Sequence, residues 1–362
     1  MTTRRADAPL RHIGLGLGRI EHWHDGLGEF SRQLGRALAE RAAELRDTQR
    51  VALHFHLPRR WFGEFGDAVG YLDTHTLQRF GHLRSTRFAL WHTVHQHNRL
   101  KAPLGTQRRV ETVHDLNFLH TKTGAKLARY RGRLQQRLAH ADAVVAITHY
   151  VAGDLQRELP TLKTPLSVIH NGATDLTGTV REPLQGIADP PFLLHVSRLA
   201  PTKNIAALLD LAAAWPEQRL VLAGATSDYT SAVQQTIHAR GLHNVIVRLD
   251  ISEAQKAWLY AHCMGFIFPS LAEGFGLPPI EAMHFGKPVF LSRLTSLPEV
   301  GGDLACYFDD FGGTAMRAVV EAGLADHTRP GRAEAVAAHA RGFSWPRCAD
   351  EYIALYLGLL NA

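Results

Sequence analysis

Cysteine is scarce in this chain: Cys263, Cys306 and Cys348 are the only three in 362 residues. None forms a spaced pair of the kind that holds a metal, and an odd count argues against a disulfide framework, so a reducing compartment fits. No apolar run approaches the roughly 20 residues that span a bilayer. The basic start, Met1 to Pro9, leads into no apolar stretch of the signal-peptide kind. The expectation is a cytoplasmic protein, at most peripheral at the inner face of a membrane. No Asp-x-Asp pair occurs, which removes the usual carboxylate ligands for a metal-bridged diphosphate; no metal site is expected. Internal repeats and low-complexity tracts are absent too.

What is present is ordinary in amount and uneven in placement. With 45% hydrophobic and 20% charged residues the chain reads as globular, and 362 residues suffice for two cores. Residues 1–175 carry 26 Lys and Arg against 16 Asp and Glu, a balance of +10, while the remainder holds 14 against 18, or −4. Fifteen of the 22 histidines also fall in the first half. A basic half beside a mildly acidic one implies an anionic partner for the first: nucleic acid, an anionic membrane or a phosphate-bearing acceptor.

The most informative stretch is 264–290. Phe266-Ile267-Phe268 reads as a buried strand that Pro269 stops. Glu273-Gly274-Phe275-Gly276-Leu277 follows as a loop, and Pro278-Pro279 start a short helix that ends at Gly286. A strand, glycine loop and helix N-terminus in that order can offer backbone N–H groups to a polar or anionic ligand. Glu273 and Glu281, the latter placed in the first helical turn, bracket the loop and can accept hydrogen bonds from vicinal hydroxyls. Plain electrostatic capping of the helix is the competing reading of the two acids.

Elsewhere the pattern is alternately strand and helix. Asp25-Gly26-Leu27-Gly28-Glu29-Phe30 opens a helix with Phe30, Leu34, Ala37 and Leu38 at helical spacing; a tight turn alone would also explain its glycines. His92, His95 and His97 could share a strand face as a metal site, but no nearby carboxylate or cysteine completes one, so they are read as lining a polar cleft or satisfied within the fold. Residues 109–118 read as a strand ending at His114-Asp115, where a histidine points into the crevice of an α/β sheet or bonds to backbone. The segment Lys126 to Leu138 is a basic amphipathic helix, suited to anionic lipid or to solvent. Residues 176–191 hold breakers and no period, which reads as a linker. Arg198 and Lys203 follow the strand at 192–197 and can reach one anion, or lie free on the surface.

Glu273-Gly-Phe-Gly-Leu-Pro-Pro-Ile-Glu281 resembles the Glu-x7-Glu signature of retaining glycosyltransferases of the GT-B fold, family 4. The resemblance extends along the chain: the glycine loop, His114-Asp115, Val168-Ile-His-Asn-Gly172, Arg198 with Lys203-Asn204, and Pro298-Glu-Val300 fall in the family's order. Ser197 stands where the family has glycine. It implies an α/β protein of two Rossmann-like domains facing across a cleft. An acceptor domain would span 1–175, a linker 176–191 and a nucleotide-sugar domain 192–342, with a helix at 343–362 crossing back to the first.

The resemblance also implies roles. His114, Glu273, Arg198 and Lys203 would be catalytic. Gly28, Asp250, Ile251, Gly274, Phe275, Gly276, Leu277 and Glu281 would bind the donor together with Arg198, Lys203 and Glu273. Gly26, Gly28 and Asp115 would face the acceptor, with Asp115 orienting His114. The implied reaction is metal-independent transfer of a hexose, mannose type, from GDP-mannose or another GDP- or UDP-sugar to a glycan or lipid-linked acceptor in surface polysaccharide or lipopolysaccharide synthesis. No bound cofactor and no nucleic acid is expected, and peripheral contact with an anionic membrane is compatible. A GT-B epimerase or phosphorylase, or a non-catalytic scaffold for anionic lipid or nucleic acid, are the alternatives.

Overall fold

The computed structural model describes residues 9–18, 26–187 and 191–362. The chain divides into two compact units, Met1–Gly172 with Ser344–Ala362, and Ala173–Phe343. The first carries β1 (Arg11–Gly16), α1 (Gly26–Glu40), α2 (Ala42–Gln49), β2 (Val51–Leu57), β3 (Gly70–Asp73), β4 (Phe88–Thr93), β5 (Arg108–Val113), α3 (Phe118–Thr121), α4 (Gly124–Leu138), β6 (Ala143–Ala146), α5 (His149–Glu158) and β7 (Leu166–Val168). The second carries β8 (Phe192–Val196), α6 (Ile205–Ala214), β9 (Arg219–Gly224), α7 (Thr230–Ala239), β10 (Val245–Leu249), α8 (Glu253–His262), β11 (Gly265–Phe268), α9 (Leu277–His284) and β12 (Val289–Ser292). It continues through α10 (Leu297–Gly301), β13 (Cys306–Phe308), α11 (Gly313–His327) and α12 (Arg332–Ala340); α13 (Trp345–Asn361) then returns to the first unit. Among the described residues no helix is long and apolar enough to cross a membrane.

Each unit is built on one parallel sheet, β3-β2-β1-β4-β5-β6-β7 in the first and β10-β9-β8-β11-β12-β13 in the second. Strands buried on both faces need continuous apolar runs, and Phe192–Val196 and Gly265–Phe268 are buried at every position. Strand order reverses between β1 and β4, and again between β8 and β11. Neighbouring strands there send their following loops to opposite sides, which opens a crevice at the carboxyl ends.

The C-terminal helix is part of the first unit's core. Tyr352 and Tyr356 of α13 are buried beside Phe30, Leu34 and Leu38 of α1. A buried polar chain locks α13 to the sheet: Tyr356 Oη to His92 Nδ1 at 2.6 Å, His92 Nε2 to Thr112 Oγ1 at 2.8 Å, and Thr112 Oγ1 to Tyr352 Oη at 2.9 Å. His92 is thereby satisfied within the fold.

Two expectations are corrected. Residues 176–187 are not a free linker. Leu176 and Ile187 are 3% and 2% exposed, Glu182 N donates to Ala254 O at 3.2 Å, and Arg248 donates to Gln185 O at 3.3 Å. The breakers abolish helix and strand, but two apolar anchors and a few backbone bonds suffice to hold the strap on the second unit. The division accordingly falls after Gly172 and after Phe343, rather than after Asp175 and after Gly342. In α4, Leu134 and Leu138 are buried within the first unit, Arg131 pairs with Glu158, and Arg137 pairs with Glu111 at 2.7 Å.

Tyr356→Phe strands a buried imidazole nitrogen and should lower unfolding stability by about 1–3 kcal/mol; an unshifted urea midpoint contradicts the polar clasp. Burial is the leading cause holding His92 near about 3 and His114 and His195 near about 4, against the ordinary 6.5. Their folded pKa values are depressed, so as pH falls below 6.5 toward 4 the unfolded chain binds more protons. The contribution of these groups to stability should therefore be full above their ordinary pKa and fall as pH drops through that window. A urea midpoint equal at about pH 7.5 and about pH 5 contradicts it.

Candidate functional site

The crevice of the second unit lies where β8 and β11 part. The segment after β8 makes one 3-10 turn over Pro201–Lys203, and Asn204 then takes a left-handed φ of 53°, which an Asn tolerates better than most residues. The segment after β11 is tied to it: Leu271 N and Ser270 Oγ donate to Thr202 O at 2.8 and 2.9 Å. This places Lys203 Nζ on Glu273 Oε1 as an ion pair, with the ammonium 5.2 Å from the Phe268 ring centre. The side chains are 20% and 13% exposed, so the pair is reachable from solvent. A lysine ammonium has three donors; Glu273 takes one, and two remain for a ligand.

The glycine loop is held from below by residues that motif reading left without a role. Thr295 Oγ1 accepts from Glu273 N at 3.1 Å. The fully buried Ser296 hydroxyl reaches Glu273 O at 3.1 Å and Phe275 O at 2.8 Å. Gly276 caps α9 at φ 117°, a region closed to ordinary side chains, and its missing Cβ also makes room for Leu297. Pro278 and Pro279 preset the helical φ but carry no N–H, so among the first four positions of α9 only Leu277 and Ile280 bring a backbone donor.

Glu281 departs from expectation. It is the fifth residue of α9, beyond the first turn, and it is 6% exposed. Lys256 Nζ donates to its Oε1 at 3.1 Å and Tyr260 Oη to its Oε2 at 2.7 Å, both from α8. Burial, then the neighbouring carboxylate, hold the Tyr260 hydroxyl well above its usual pKa, so it stays a donor. The two acids of the motif are thus each matched to a separate lysine.

The other donor-side residues separate into three groups. Arg198, one residue beyond Ser197, is exposed and forms no hydrogen bond or ion pair among the described residues. Asp250 follows β10 at φ 55°, and its carboxylate accepts from Thr226 N at 3.1 Å and Thr226 Oγ1 at 2.7 Å. Those bonds hold its carboxyl below the usual range; the Asp250 side chain is thus spent on the loop, leaving the Ile251 turn's backbone at the sheet's carboxyl edge. At Gly224, the last residue of β9, a Cβ would overlap the Ser197 carbonyl. His195 Nδ1 faces the Ile267 carbonyl at 2.9 Å and must carry the proton, so Nε2 accepts from Ser197 Oγ at 2.7 Å. Serine in the glycine position therefore braces β8 against β11.

In the first unit, His114 follows β5 at its carboxyl end. Its Nε2 donates to Val94 O at 2.8 Å and its ring meets Phe30 edge-on at 4.4 Å, which leaves the Nδ1 lone pair as the acceptor. Asp115 does not orient it: the Asp115 carboxylate accepts from Asn117 N at 2.9 Å, two residues on, as short acidic side chains do. Gly26 and Gly28 are first-turn residues of α1, not members of a loop. The preceding Arg19–Asp25 lies outside the described residues.

Lys256→Met removes the cation beside a nearly buried carboxylate and should cost about 3 kcal/mol of stability, with Lys256→Arg costing much less. A Lys256→Met protein unfolding at the wild-type urea midpoint would sink that pairing.

Against known proteins, residues 25–175 match the model described as Glycosyltransferase Family 4, and residues 179–307 that of Glycosyl transferases group 1. The chain is 33% identical to O-antigen chain mannosyltransferase B of Escherichia coli over 46% of itself and 45% of that protein. It is 34% identical to serotype-specific mannosyltransferase WbdA of Escherichia coli over 47% of itself, which is 22% of that relative's length. The matches thus span less than half of these relatives. Sucrose-phosphate synthase from Thermosynechococcus elongatus superposes with a TM-score of 0.72 at 19% identity, covering 97% of this chain and 99% of that one, a likeness of fold. Two parallel-sheet Rossmann-like units and two adjoining family matches agree: the chain belongs to the group 1, family 4 glycosyltransferases of the GT-B fold.

Proposed function

We propose that the protein is a retaining, metal-independent glycosyltransferase that moves a mannose-type hexose from GDP-mannose, or another GDP- or UDP-sugar, to a glycan or lipid-linked acceptor in surface polysaccharide or lipopolysaccharide synthesis. The observation that carries the reading is the crevice between β8 and β11, where the Lys203–Glu273 pair joins the segment after β8 to the loop of the Glu-x7-Glu motif, with Arg198 exposed on that same segment and unpaired among the described residues. The O-antigen mannosyltransferases among its relatives favour mannose.

In this reading the departing diphosphate takes the two remaining Lys203 donors and the Arg198 fork, an electrostatic task worth several kcal/mol in a partly dry crevice. Glu273 accepts from the sugar's hydroxyls while holding Lys203 in register. Glu281, already aligned by Lys256 and Tyr260, accepts from the ribose. His114, neutral at pH 7 with its Nε2–H committed to Val94 O, offers an acceptor to a sugar hydroxyl rather than a proton. Each carboxylate of the motif is held by a lysine, which suits binding better than nucleophilic attack. Front-face departure assisted by the leaving phosphate is therefore favoured over a double displacement.

The test is donor turnover with the product's anomeric configuration read by NMR. Retained configuration, undiminished rate in EDTA, and a Lys203→Met rate lowered by about 100-fold or more are expected, the loss corresponding to about 2.7 kcal/mol of transition-state stabilisation. Inversion, or a metal requirement, would contradict the mechanism. Nucleotide-sugar consumption without any acceptor would favour the epimerase reading.

A further inference from the structure

A cavity of about 850 Å³ lies wholly within the first unit, on the face of its sheet turned from α13. It exists because of a missing helix. In a doubly wound sheet each crossover normally lays a helix on one face, yet residues 94–107, which join β4 to β5, contain neither helix nor strand. Side chains alternate along these strands. His92 and Thr112 face α13, while Trp91, Thr93 and Glu111 look the other way, into the gap left beside α4.

The walls of this gap are strongly basic. Arg79, Arg99, Lys101, Arg109, Arg133 and Arg137 line it, and Glu111 is the acid among its lining residues. Glu111 is already matched to Arg137 Nε at 2.7 Å and to Thr93 Oγ1 at 3.1 Å. Arg137 also donates to the carbonyls of Gln96 and Asn98, so that cation is structural. Arg99, Lys101 and Arg133 form no ion pair among the described residues. Uncompensated cations converging on one concave site are matched by an anion with several acceptor oxygens.

The rim is of opposite character. Phe80 and Leu104 line the mouth yet are 70% and 61% exposed, and Leu77 and Leu83 beside them are 74% and 79% exposed. Lys101 N to Gln78 O at 3.1 Å and Leu104 N to His82 O at 2.8 Å join the two segments into one lip. A soluble anion would leave these side chains in water, whereas exposed apolar side chains at the edge of a basic site suit an anion that carries an apolar chain.

We infer that this cavity is a binding site for a phosphate-bearing lipid headgroup, with the phosphate held by Arg99, Lys101 and Arg133 and the lip set into the membrane interface around the lipid chain. The inference is independent of the donor reading, because the site shares no residue with the β8–β11 crevice and its occupancy is measured without nucleotide sugar.

The experiment is co-sedimentation of the full chain with phosphatidylcholine vesicles containing phosphatidic acid, a phosphomonoester, or phosphatidylserine at equal surface charge. Preference for phosphatidic acid is expected, with binding reduced at least tenfold in R99E/K101E/R133E. Phe80→Ser with Leu104→Ser should abolish vesicle binding while leaving the affinity for inorganic diphosphate, measured by calorimetry, within twofold. The control K126E/R129E alters exposed cations of α4 outside the cavity and should keep vesicle binding within twofold. Wild-type melting profiles establish that each variant is folded; should the triple variant fail, Arg133→Gln alone carries the comparison. Equal losses in the cavity and control variants would show mere surface charge and overturn the site. Diphosphate binding with no vesicle binding would assign a soluble ligand, and single-stranded RNA binding lost in the triple variant without vesicle binding would assign nucleic acid; either overturns the lipid reading.

Discussion

The second unit's site depends on one carbonyl. Thr202 O accepts from both Ser270 Oγ and Leu271 N, and this pair of hydrogen bonds between loops from adjacent strands decides where Lys203 meets Glu273. Without it, a long lysine on a 3-10 turn would lose several rotamers' worth of entropy to reach a carboxylate, and an exposed pair of that kind contributes little. With both loops fixed by backbone, the ammonium is already in place. The energy of ligand binding then need not order it, which is how a preorganised electrostatic site gains over water.

A second layer keeps the acids usable. Ser296 beneath the glycine loop and Thr295 on the Glu273 amide fix the backbone that carries Glu273, while Lys256 and Tyr260 aim the Glu281 carboxylate. The arrangement also accounts for the proline pair at the start of α9. Those residues remove two backbone donors from the helix end, so anion binding falls to side-chain cations and to the loop, and the Glu-x7-Glu segment serves hydroxyl recognition more than phosphate capture.

Much of this is legible in the sequence alone. Apolar runs and period-3.6 patterns locate the strands and helices because the central strands of both sheets are buried, and the Glu273–Glu281 spacing carries the family. Long-range partners are not legible. Nothing local to Glu281 announces Lys256 or Tyr260, since they meet only when the fold brings α8 within side-chain reach of α9. Asp115 reads equally as an orienter or as a turn former until the Asn117 amide is seen beneath it. Residues 176–187 read as a linker because breakers hide the two anchors, Leu176 and Ile187, that fasten them. The cavity in the first unit cannot be read at all, because it arises from a helix that is not there.

The central claim is that Lys203 and Arg198 recognise a diphosphate. Calorimetric titration of GDP and GMP into the wild-type protein and into Lys203→Met tests it most directly. The account predicts that the wild type prefers GDP by at least about tenfold, a difference of about 1.4 kcal/mol, and that the variant loses most of that preference. Equal discrimination by the two proteins would contradict it.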